Sequence, residues 1–79
     1  MNDSNINLNN LSSGESAVIV AIHSEDTLRQ RLQALGFRVG KRIELIRKAS
    51  FSGPLQVRIG TTDVLLRKNE ASKIAIEKL

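Results

Sequence analysis

The residues best equipped for acid–base or metal chemistry lie side by side: His23, Glu25 and Asp26, with Ser24 among them. An iron or zinc site needs three or more converging donors, often with two imidazoles or thiolates in the set. His23 is the only histidine and there is no cysteine. Acids at Glu25 and Asp26 are better suited to the first turn of a helix, where the macrodipole favours negative charge. Nucleophilic catalysis fares no better. Ser24 and Asp26 merely flank His23, and no G-x-S-x-G elbow occurs. Gly36 and Gly40 do not fit the G-x-x-x-x-G-K-[ST] phosphate loop. The residues predict no enzyme, no catalytic or metal site and no cofactor, with His23 a polar residue at a strand end.

What remains is binding chemistry. Arg38, Lys41, Arg42, Arg47 and Lys48 fall within eleven residues that hold one acid, Glu44. Such a stretch is either a solvated flank or an electrostatic docking face for an acidic surface. Phe51 stands among serines beside Gly53. Exposed, it would serve as an apolar anchor, since aromatic residues are enriched at binding hot spots; folded inward, it would cap the core.

These residues need elements to hold them. The run Ser16 to Ile22 is short and rich in Val and Ile, which marks a strand. Residues 17–22 have no polar side chain on either alternating face, so both faces need cover. Ser24 is a candidate N-cap for a helix over residues 25–35, with Leu28, Leu32 and Leu35 as its core stripe and Gly36 closing it. Arg29, Gln30 and Gln33 take the exposed side. Residues 42–49 read as a half-buried strand and residues 50–54 as a loop. Leu55, Val57 and Ile59 alternate with Gln56 and Arg58 as a further strand. Residues 60–63 form a turn into a strand at 64–67. Asn69 caps a short helical turn, and residues 74–78 make the last strand.

The predicted class is mainly β: a small five-stranded barrel with one inserted amphipathic helix and a short C-terminal helical turn. Closure of such a barrel would remove the sheet edges that a small β domain must protect. Residues 1–7, rich in asparagine, read as a flexible tail in which only Ile6 could reach a core. Residues 8–79 form the domain.

Composition narrows the partner. At 79 residues there is room for one domain, and without cysteine no disulfide can brace it. Twelve basic against eight acidic side chains give a net charge of +4, suited to an acidic partner. Phe37 and Phe51 are the only aromatic residues, too few for a base-stacking platform, so nucleic acid fits poorly. No apolar run approaches the ~20 residues of a membrane-spanning helix, and no basic n-region followed by an apolar h-region opens the chain, so no signal peptide is expected.

The ordered set of motifs resembles the FeoA family, ferrous iron transport protein A. It comprises Leu8-x-x-Leu11-x-x-Gly14, Arg31-Leu32-x-x-Leu35-Gly36-Phe37-x-x-Gly40, Gly53-Pro54 leading to Val57-Arg58-Ile59, and Leu66-Arg67-Lys68-x-Glu70-Ala71-x-x-Ile74. The resemblance runs from about Leu8 to the C-terminus. It implies an SH3-like barrel and an accessory role beside FeoB, a membrane ferrous iron transporter with a cytoplasmic GTP-binding domain. FeoA-like domains also end iron-dependent repressors of the diphtheria toxin repressor type, but this chain is too short for their helix-turn-helix.

The functional expectation is therefore a cytoplasmic regulator of iron uptake, recruited to the inner face of the membrane by contact with a FeoB-type transporter. Arg29, Gln33, Arg47, Lys48 and Phe51 are its candidate partner-binding residues. The alternatives are a basic nucleic-acid-binding barrel and a structural homo-oligomer.

Overall fold

A computed structural model describes residues 6–79. Five strands, β1 (Ser16–Ile22), β2 (Arg42–Lys48), β3 (Leu55–Ile59), β4 (Thr62–Leu66) and β5 (Ile74–Lys78), form one antiparallel sheet in the order β4-β3-β2-β1-β5. Helix α1 (Asp26–Ala34) joins β1 to β2, and the single turn α2 (Lys68–Ala71) joins β4 to β5. A 3-10 turn at Leu8–Asn10 precedes β1.

The sheet curls because two of its strands carry bulges. Pairing slips between Ile19 and Ala21 on β1 and between Leu45 and Arg47 on β2. An extra residue in one strand bends it and raises its twist, which turns a flat ribbon into a barrel wall. The β1 bulge also resolves the run without polar residues: Ala17, Ile19 and Ile22 point into the core, while Val20 is 45% exposed.

Helix α1 ends as its sequence requires. Gly36 has φ of 102°, a left-handed conformation that glycine adopts at no steric cost. Its N–H reaches the Gln33 carbonyl at 3.0 Å, and the Phe37 N–H reaches the Leu32 carbonyl at 2.9 Å. Together these bonds make a Schellman motif, whose apolar contact here joins buried Leu32 and buried Phe37. The stripe expectation needs correcting at its end. Leu32 is buried and Leu28 packs on the core, but Leu35 is 37% exposed because Phe37 takes the core position after the turn.

The caps differ from expectation as well. The N-cap of α1 is Glu25, with no side-chain cap bond, and Ser24 Oγ is buried without a partner. For α2, Asn69 lies inside the helix and Arg67 is the N-cap; the Glu70 carboxylate accepts the Arg67 N–H at 3.0 Å. The β3–β4 turn is Gly60-Thr61 alone, with Ile59 opposite Thr62, so Asp63 is a strand residue. At the N-terminus, Ile6 and Asn7 are not loose. The Ile76 N–H donates to the Ile6 carbonyl at 3.1 Å, and Asn7 bridges to Ala75. The remaining tail, residues 1–5, lies outside the described residues.

Among the described residues, backbone pairing does not close the barrel. β4 and β5 are the two ends of the sheet and no ladder joins them. Ile6 and Asn7 cover part of the β5 edge. Among the described residues, β4 pairs only with β3, so the expectation of an edgeless barrel fails there.

Candidate docking surface

The β2–β3 connection is tighter than a five-residue loop. The Ala49 N–H bonds to the Pro54 carbonyl at 3.0 Å and the Gly53 N–H to the Ser50 carbonyl at 3.2 Å, leaving Phe51-Ser52 as a two-residue turn. Both turn residues have positive φ, 53° and 66°. That matches the mirror-image type I′ turn, which usually takes Asn-Gly because a side chain there meets the backbone. A left-handed residue other than glycine costs roughly 1–2 kcal/mol, and a bulky one is uncommon. The strained turn holds Phe51 outward, 99% exposed. Of the two expected placements, exposure is the one observed.

Behind the turn, cross-strand register sets the outer face. Arg47 is opposite Gln56, and Gln56 is opposite Leu65, so one row crosses β2, β3 and β4. Leu65 is 67% exposed. It lines two hollows, one of about 190 Å³ with Arg47, Ala49, Pro54 and Gln56. The other, of about 480 Å³, is bounded by Arg31, Ser52, Pro54, Leu66, Arg67 and Glu70. The next row is Glu44, Arg58 and Asp63. There Arg58 clasps Asp63 in two bonds of 2.7 and 3.1 Å, and Gln56 Nε2 adds a third at 2.9 Å. The Arg58 bond, then the Gln56 bond, hold the Asp63 carboxyl below its ordinary range.

Asp63 is thus engaged on this side, whereas Glu44 makes no ion pair among the described residues. Glu70 is raised by partial burial, but the Arg67 N–H and the Arg31 guanidinium outweigh that and hold it low. By contrast, Arg47, Lys48, Arg67 and Lys68 make no ion pair among the described residues. The surface offers an apolar ridge, Pro54 and Leu65, flanked by cations that make no ion pair among the described residues.

The candidate residues do not all meet. The basic stretch is divided along β2: Arg42 lines a separate hollow with Gly40, Lys41, Glu44, Arg58 and Gly60, while Arg47 sits at the Phe51 end. Arg42 and Arg47 are five strand steps apart, roughly 16 Å. Neighbours on a strand point to opposite faces, and Lys48 reaches away from Arg47 to the Asn9 carbonyl at 2.8 Å. Arg29 and Gln33 lie exposed on α1, and Arg29 also donates to the Ile22 carbonyl at 3.3 Å. Neither lines the hollows beside Phe51. His23 is exposed past the end of β1, and no cluster of three metal-ligating side chains occurs among the described residues. Leu65 is the feature that sequence reasoning missed. In Val64-Leu65-Leu66 the outer two residues point inward, so the middle leucine must face out.

The FeoA domain family matches residues 6–78, nearly the whole chain. The chain belongs to the FeoA family. It is 36% identical over 70 residues to an Fe(2+) transport protein A/Fe(2+) transporter FeoB fusion protein of Porphyromonas gingivalis. That match covers 89% of this chain but 8% of the fusion. A second relative, an Fe(2+) transport protein A of Campylobacter jejuni, is 32% identical and is covered over 93% of its length by 87% of this chain. Among solved structures, the zinc-complexed FeoA of Stenotrophomonas maltophilia, described as a prokaryotic SH3 domain protein, superposes with a TM-score of 0.79 at 30% identity. The match takes in 91% of this chain and 89% of that one. The expected SH3-like architecture and FeoA membership are therefore both found. No described helix is long and apolar enough to cross a membrane.

Proposed function

We propose that this FeoA-family chain regulates ferrous iron uptake by docking on the cytoplasmic part of a FeoB-type transporter. One observation carries the reading: in the Porphyromonas gingivalis relative, the transport protein A portion and the transporter are a single polypeptide. Tethering raises the effective concentration of two partners, often to the millimolar range, so a modest contact suffices. The cations without an ion pair among the described residues and the exposed Phe51 suit such a contact.

The mechanism is a population shift. Docking changes the transporter only if the chain prefers one of its states, open or closed, GTP-bound or GDP-bound. No bond is made or broken on this chain. Arg47 and Phe51 form the centre of the contact, Lys48 steers from the neighbouring face, and Arg29 with Gln33 extend it along α1. The chain works at the inner face of the membrane through its partner.

The test is a pull-down with the purified cytoplasmic domain of a FeoB-type transporter, run without nucleotide, with GDP and with a GTP analogue. Retention in at least one state is expected. Absence of binding in every state, and to the full-length transporter, overturns the reading. Micromolar binding to RNA or DNA at physiological salt, with a steep salt slope, would favour a nucleic-acid role instead.

A further inference from the structure

We infer that the free edge of β4 accepts an extended segment of the transporter partner as a sixth strand. The inference rests on the docking reading above and names the surface that carries it. In the two-residue hairpin joining β3 to β4, Ile59 and Thr62 close the turn as a hydrogen-bonded pair. Pairs alternate along an antiparallel ladder, so Thr62, Val64 and Leu66 direct their backbone groups toward β3. Asp63 and Leu65 direct theirs outward. No partner meets these outward N–H and C=O groups among the described residues.

An unprotected edge is something native sheets normally avoid, by charge, proline, bulges or a covering segment. Here the bulges lie on β1 and β2, and the β5 edge has its cover in Ile6 and Asn7. β4 instead presents an exposed Leu65 beside a hollow of about 480 Å³. Strand addition suits this arrangement: main-chain bonds give affinity and alternate side chains give specificity.

Charge defines the segment. A residue opposite Leu65 shares its outer face and must be apolar to cover it together with Pro54. Two positions on, the new strand passes Arg67, an extended residue whose N–H bonds to Glu70 but whose side chain makes no ion pair among the described residues, with Lys68 next to it. Arg47 flanks the apolar ridge on the other side. The occupant is therefore an extended segment with an apolar residue spaced by two from an acidic one.

Amide exchange of the full chain, read by NMR with and without a saturating FeoB-type cytoplasmic domain, tests this directly. The Asp63 and Leu65 amides should slow by about tenfold or more in the complex. Leu65→Pro removes one outward N–H without removing a β3–β4 bond, since proline is tolerated where the N–H faces away from the sheet. It should weaken binding by roughly tenfold, more than Leu65→Ala, which keeps the N–H. If the domain binds while both amides exchange as in the free chain, or if folded Leu65→Pro binds as well as the original, the edge inference fails and the docking reading stands. If the domain does not bind at all, both fail. Slowing of the same amides in the isolated chain as its concentration rises would assign the edge to a second copy and overturn the inference. The exchange measurement needs no variant, so it decides the matter even if Leu65→Pro does not fold.

Discussion

Arg31 on α1 and Glu70 on α2 form an ion pair that ties the inserted helix to the connection between β4 and β5. The same Glu70 carboxylate accepts the Arg67 N–H at 3.0 Å, so one side chain anchors α1 and caps α2. Its pKa is held below the ordinary glutamate value of 4.5. A carboxyl depressed in the folded state stabilises fully above its unfolded value and loses that contribution as pH falls through the folded one. Glu70→Gln should therefore cost about 1 kcal/mol near neutral pH and flatten the fall in stability below pH ~4.5. Chemical denaturation across pH checks this; an unchanged acid limb would contradict it.

Two glycines should fail for different reasons. At Gly36 a Cβ would have room, its nearest neighbour being Ile59 Cδ1 at 4.0 Å, but φ is 102°. Gly36→Ala should cost about 1 kcal/mol through backbone strain alone. At Gly53 a Cβ would lie 2.5 Å from Ala49 Cβ. Gly53→Ala should also destabilise, and Ala49→Gly should restore much of that loss while leaving Gly36→Ala unimproved. Thermal melts of the single and double variants decide; equal rescue of both would contradict the distinction.

Phe51 separates binding from stability. With its side chain in solvent, Phe51→Ala should leave the melting temperature nearly unchanged and weaken transporter binding by tenfold or more, since hot-spot aromatics contribute about 2 kcal/mol or more. Calorimetric titration beside a melting curve measures both. A large loss of stability would mean the ring is packed rather than presented.

Charge reversal at Arg47 and Lys48 should act on encounter. Replacing both with glutamate should slow association by roughly tenfold at low salt, with the difference shrinking as salt screens it. Stopped-flow or surface-binding kinetics read the effect, and an unchanged association rate would remove both residues from the surface.

Much of the barrel was legible because its strands are short and patterned. β1, β3 and β5 begin and end where apolar alternation or β-branching does. Gly36 marked the helix end because only a left-handed residue closes a Schellman motif well. The N-caps were not legible. Ser24 and Asn69 have the right chemistry, yet the chain enters its helices at Glu25 and Arg67, where backbone geometry rather than a side chain sets the start. The candidate surface was legible only in part. Phe51 stood out by type, and alternation in Val64-Leu65-Leu66 carried the signal for Leu65, whereas the open β4 edge depends on which strands pair, a long-range property that no local pattern carries.

The most direct test of the account is an NMR titration of the isotope-labelled chain with a FeoB-type cytoplasmic domain in its apo, GDP and GTP-analogue states. The account predicts saturable shifts centred on Arg47, Phe51 and Leu65 in at least one state, stronger in one nucleotide state than another. Saturable shifts confined to the Gly40–Gly60 end, or no shifts in any state, would contradict it.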